Sequence, residues 1–148
     1  MVLNPEIPEE TSLFFDREAF AENLQYWKNL DYQNYSFDYS YEDNKEANSW
    51  SGRVTVRNGA IEKADRLPGY NFPNEPPTKT GKAWLLPIDG IFAKMEEEAD
   101  NYTDGGLRLH VNYNQGAGID MIHLHYLKIT PERKETYRII VYDVKKLP

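Results

Sequence analysis

The sequence predicts an α+β fold, in which an antiparallel β-sheet of about six strands carries two helices on one face, in the order α-β-β-β-α-β-β-β. Three observations lead to this prediction. Apolar residues recur at helical spacing in two segments, over about 16–30 and 88–100, and the remaining regular segments alternate apolar with polar residues. A chain of 148 residues, 40 % hydrophobic and 28 % charged, is also typical of one globular domain. We therefore expect a single domain over 16–146, preceded by an extended lead-in at 1–15.

The first helix is predicted to begin after Asp16 and to end near Leu30. Aspartate is a favourable residue at a helix N-cap, because its carboxylate accepts hydrogen bonds from the first free N–H groups. Phe20, Leu24 and Trp27 follow at spacings of three or four and form one apolar face. We expect this face to pack on the sheet.

A strand and a hairpin are predicted next. Residues 35–41 alternate aromatic residues with serine and aspartate, a pattern typical of a half-buried strand. The hairpin is predicted for residues 50–66, because Asn58-Gly59 supplies the two residue types that tolerate positive φ in a two-residue turn.

A proline-rich segment, residues 67–87, separates this hairpin from the second helix at 88–100, and it is predicted to be irregular. Long irregular connections in a compact domain are often functional. Tyr70, Phe72 and Trp84 lie in this segment, and their rings are candidate contacts for a peptide or glycan. The alternative is that the rings hold the segment against the edge of the sheet.

Three strands are predicted to close the chain, at 107–113, 120–129 and 136–144. The predicted register places His110 opposite His123 and Arg108 opposite His125, so that apolar residues face the helices. All three histidines of the chain then share the other face. The candidate binding residues on that face are His110, His123, His125 and Tyr142.

These candidates support two hypotheses of function. The first is a non-catalytic binding or interaction domain, because the second sheet face is too apolar to be merely solvated and no catalytic motif is present. The second is a metal-binding protein, because imidazoles on paired strands suit an ion such as Zn²⁺. No carboxylate is predicted beside the histidines to complete or orient such a site. We predict no cofactor, and expect a monomer or weak dimer whose partner is an unknown protein, peptide or glycan.

Composition excludes several other classes. The formal net charge of −7 disfavours a nucleic-acid partner, since the phosphate backbone is repelled by an acidic protein. With no cysteine, the chain has neither disulfides nor a thiolate site. No apolar run reaches the length of a membrane span, and residues 1–20 show no signal-peptide pattern.

The order of elements resembles a family of small bacterial exported domains of unknown function that often occur as lipoproteins. The resemblance extends over about 20–144. It rests on Trp27, Asn34–Phe37, Val54–Gly59, Pro87–Phe92, Val111–Asn114 and Gly118. The chain lacks the Cys-x-Cys that many members carry, and it has Pro87 where a capping threonine is usual. The resemblance implies an extracytoplasmic location, periplasmic or at the cell surface, and it implies no activity.

Overall fold

The computed structural model describes residues 13–44, 48–67, 73, 75–102, 105–115 and 120–148. These residues form one seven-stranded sheet and three helices. The elements are β1 Leu13–Phe15, α1 Arg17–Leu30, β2 Tyr35–Asp43, β3 Trp50–Arg57, β4 Ala60–Arg66, α2 Lys79–Ala83, α3 Ile88–Asp100, β5 Gly106–Tyr113, β6 Asp120–Ile129 and β7 Lys134–Lys146. The strands lie in the order β1-β5-β6-β7-β2-β3-β4. The α+β class is confirmed, with a strand and a helix more than predicted.

The additional strand, β1, lies in the segment expected to be an extended lead-in. Its three residues pair with β5 in parallel, with Leu13 opposite Leu107 and Phe15 opposite Leu109. The other strand pairs are antiparallel, so the sheet is mixed and the prediction of an antiparallel sheet was wrong. Three residues are too few to show an alternating pattern in the sequence.

Helix α1 begins and ends as predicted. The Asp16 carboxylate accepts a hydrogen bond from the Ala19 N–H at 3.0 Å, which caps the first turn. Asp31 adopts a left-handed conformation with φ of 52° and donates its N–H to the Lys28 carbonyl, which ends the helix. Phe20 and Trp27 are buried, so the predicted apolar face does pack inward.

Helix α3 is capped from the sheet. Its N-cap residue is Pro87, which makes no side-chain capping bond. The Tyr35 hydroxyl accepts a hydrogen bond from the Ile88 N–H at 2.9 Å instead. Tyr35 is 2 % exposed, so this bond ties the first turn of α3 to the buried face of β2.

The proline-rich segment contains a short helix, α2, where the sequence predicted no regular structure. Thr78 caps it by accepting from the Gly81 N–H at 2.9 Å. The Gly81 carbonyl accepts from the buried Tyr39 hydroxyl at 2.7 Å, and the Pro73 carbonyl accepts from Trp50 Nε1 at 2.8 Å. The described parts of this segment are therefore bonded to the sheet.

The core lies between the helices and one face of the sheet. The rings of Phe20 and Phe92 join α1 to α3 with centroids 5.8 Å apart, and the rings of Trp27 and Tyr35 join α1 to β2 at 5.0 Å. Trp84, which directly follows α2, reaches Tyr137 of β7 from the same side. The described helices all lie on this face, and we term the opposite side of the sheet the open face.

The register of β5 on β6 differs from the prediction by two residues. His110 pairs with His125 rather than with His123, and Arg108 pairs with Leu127 rather than with His125. A slip of two residues leaves every side chain on its predicted face, so the hydrophobic pattern cannot distinguish the two registers. The predicted neighbours were wrong, whereas the predicted face was correct.

Candidate binding surface

The three histidines form a contiguous cluster on the open face. The rings of His123 and His125 are stacked, with centroids 4.6 Å apart and planes inclined by 14°. His110 lies across the strand pair, with its ring centroid 6.0 Å from that of His125. All three residues are half-buried, and the Nε2 atom of His123 is buried.

Arg108 and Arg138 lie beside this cluster, and Glu42 and Asp43 line a pocket together with His125. Arg138 pairs directly with His125 across β6 and β7. Burial first, and then the charges of His123, Arg138, His110 and Arg108, lower the pKa of His125 below its ordinary value. Burial and these charges therefore favour the neutral form of the His125 imidazole.

The cluster is not arranged as a metal centre. Among the residues that the structure describes, no three histidine, cysteine, aspartate or glutamate side chains lie close enough together to hold a metal ion. Glu42 is the acidic neighbour of Arg138, with which it forms an ion pair at 3.9 Å. Positive charge around the imidazoles also opposes cation binding. This arrangement gives no support to the metal-binding hypothesis.

Apolar side chains complete the open face. Phe14 of β1 is 48 % exposed, and its ring lies 5.5 Å beneath the Arg108 guanidinium. Leu127, Ile140 and Tyr142 are half-buried and, by strand alternation, project from the same face. A face that combines exposed aliphatic, aromatic and cationic groups is suited to a partner with apolar and acidic groups.

An ion-pair network lies beside these residues on β2, β3 and β7. The Arg53 guanidinium contacts Asp38 at 2.5 Å and Asp143 at 2.9 Å. Burial is the main cause of a raised Asp38 pKa, and Arg53 opposes it. Asp143 has a φ of 53° at a bulge in β7. No local pattern in the sequence indicates this network, because Asp143 is distant from Asp38 and Arg53 in the chain.

Trp84, the aromatic candidate of the proline-rich segment that the structure describes, does not join this surface. Trp84 is 1 % exposed and donates its Nε1–H to the Tyr137 hydroxyl at 2.9 Å, so its ring lies in the core, in agreement with the alternative that the rings hold the segment against the sheet. Tyr70 and Phe72 lie outside the described residues. Among the residues that the structure describes, the candidate surface therefore consists of those on the open face.

Comparisons with known proteins place the chain in a family. No described helix is both long and apolar enough to cross a membrane. No curated protein and no solved structure matches the chain. The family of unknown function DUF6174 matches residues 19–122, more than half of the sequence. The chain therefore belongs to the DUF6174 family, whose function is unknown.

Proposed function

We propose that this protein is a non-catalytic binding domain, and that its open face binds an acidic polypeptide segment. The observation that supports this is the collection of Arg108, Arg138 and three histidines on one half-buried face of an acidic protein. Complementary charge steers a partner to such a face and fixes its orientation. We propose no reaction, because His125 lies beside Arg138, whose charge disfavours the protonated imidazole that a general base must form.

The apolar groups favour a polypeptide over an acidic glycan. Leu127 and Ile140 are half-buried aliphatic residues, and Phe14 is among the large hydrophobic side chains that remain exposed. Aliphatic side chains of a bound segment gain free energy by covering such groups. Acidic side chains of the same segment would pair with the two arginines.

An extracytoplasmic location is proposed as well, and the resemblance described above is its support. Fractionation of cells that express the natural gene from its own promoter tests it. We expect the protein in the periplasmic or surface fraction, and recovery in the cytosolic fraction would contradict the proposal.

Binding is tested with fluorescent poly-L-glutamate, by anisotropy at pH 7 and low salt. Arg138→Gln is matched with Lys82→Gln, because both side chains are about half exposed and each lies 3.9 Å from one glutamate. Lys82 belongs to α2 on the helix side of the sheet. We expect Arg138→Gln to weaken binding about two- to fivefold and Lys82→Gln to leave it unchanged.

Two results would overturn the proposal. Equal affinity in the two variants would show that net charge, not the open face, governs binding. Alginate bound in preference to poly-L-glutamate would identify an acidic glycan as the partner.

A further inference from the structure

A concave site lies on the helix side of the sheet, in a groove between α1 and α3. Its volume is about 350 Å³, which falls within the range of small-molecule sites. Its apolar lining consists of Phe20, Leu24, Trp27, Tyr32, Phe92 and Ala93, of which Phe20, Trp27 and Phe92 are at most 5 % exposed. The groove is separate from the open face, since the sheet lies between them.

The mouth of this groove is acidic. Asp31, Asp89 and Glu96 line it together with a single cation, Lys28. Asp89 is an exposed residue of α3, and its Oδ1 accepts a hydrogen bond from Trp27 Nε1 of α1. This bond fixes one carboxylate at the edge of the aromatic lining. Two segments on which the family resemblance rests, at Trp27 and at Pro87–Phe92, meet at this point.

We propose that the groove binds a small organic cation, an ammonium group attached to an apolar body. The aromatic lining accepts the apolar body, and the three carboxylates attract the ammonium. Lys146 Nζ already lies 5.8 Å from the centroid of the Tyr32 ring, so the ammonium of a ligand is drawn to the three carboxylates rather than to this ring. The sign of the charge here is opposite to that of the open face, so the proposal does not depend on the proposed function.

The charge requirement is tested with three probes of similar shape: 2-phenylethylamine, 2-phenylethanol and phenylacetate. Each is titrated into the full chain while the indole N–H signal of Trp27 is followed by NMR. We expect the amine to bind most tightly, at least about threefold more tightly than the alcohol, and phenylacetate to bind most weakly. Equal affinity of the three probes, or no shift of the Trp27 signal at millimolar amine, would overturn the proposal.

The location is tested with two adjacent residues of α3. Glu96 lines the groove, whereas its exposed neighbour Glu97 does not, so Glu96→Gln and Glu97→Gln make the same change in different places. We expect Glu96→Gln to weaken amine binding about two- to fivefold while leaving the affinity for the alcohol unchanged, and Glu97→Gln to change neither. Equal weakening by both variants would overturn the site.

Replacement of Asp89, whose carboxylate accepts the hydrogen bond from Trp27, is expected to have a larger effect on amine binding. Asp89→Asn is expected to weaken amine binding more than Glu96→Gln does, because it removes the charge that lies against the aromatic lining. Its melting temperature is measured alongside, since the bond to Trp27 also joins two helices. Capture of a lysine-rich peptide without binding of the amine would overturn the small-molecule site and indicate a protein partner.

Discussion

Replacement of Tyr35 by phenylalanine tests how α3 is capped. The change retains the buried ring and removes the hydroxyl that accepts the Ile88 N–H at 2.9 Å. Pro87 provides no side-chain cap in its place, and Ile88 is fully buried, so water cannot easily replace the bond. A buried donor left without an acceptor costs about 1–3 kcal/mol, and loss of an N-cap bond costs about 0.5–2 kcal/mol. We therefore expect a loss of about 2 kcal/mol.

Urea unfolding followed by tryptophan fluorescence measures this loss. In a domain of this size 1 kcal/mol corresponds to about 2–4 °C, so the melting temperature should fall by about 4–8 °C. The slope of free energy against urea should not change, since the variant exposes the same surface on unfolding. Burial also raises the pKa of Tyr35 to about 12, so ultraviolet titration should show one late-ionising tyrosine fewer in the variant.

The control removes a tyrosine hydroxyl from a position where it does not cap α3. Tyr26 is a half-exposed residue of α1, and Tyr26→Phe should change the free energy of unfolding by less than about 0.5 kcal/mol. If Tyr35→Phe costs no more than this control, the Ile88 N–H finds another acceptor, and the argument that β2 caps α3 is refuted.

Three further predictions concern packing, pH and the proline-rich segment. Gly52→Ala should cost about 1–3 kcal/mol in urea unfolding, because a Cβ there would lie 2.0 Å from the buried Trp50 ring; an unchanged midpoint would contradict this. The lowered pKa of His125 means that the unfolded chain binds more protons below about pH 6.5. The free energy of unfolding should thus fall between pH 7.5 and pH 5, and it should fall less steeply in His125→Gln. Equal slopes in the two proteins would contradict a lowered pKa of His125. Trypsin should cut the native protein slowly after Lys79 and Lys82, since α2 is bonded to the sheet; rapid cleavage there would contradict it.

Local signals predicted most of the secondary structure. The capping carboxylate of Asp16 and the turn at Asn58-Gly59 act within a few residues, so their effect is visible in the sequence itself. The structure shows both, with the Asp16 bond at 3.0 Å and positive φ at both turn residues. Helix α2 was missed because its five residues are too few to establish a helical period and lie among prolines.

Long-range contacts were beyond the reach of the sequence. The bond from Ile88 to Tyr35 joins residues 53 positions apart, and the bond from Trp27 to Asp89 joins residues 62 positions apart. Nothing in the local pattern of either segment indicates its partner, since a tyrosine in an alternating strand is equally well explained by burial alone. The groove between α1 and α3 was missed for the same reason, because it exists only once two separate helices pack together.

The proposed binding face depends on which side of the sheet each residue occupies. An error of two residues in the register does not change that side. A strand has a period of two, so a slip by two residues changes which side chains are adjacent but not which face they occupy. The histidine pair expected at His110 and His123 was wrong, yet both residues lie with Arg108 and Arg138 on the open face. A metal site needs specific neighbouring ligands at fixed distances, so the hypothesis of a metal site fails when the register changes. Attraction of an acidic segment depends on which face carries Arg108 and Arg138, and a slip of two residues leaves that face unchanged.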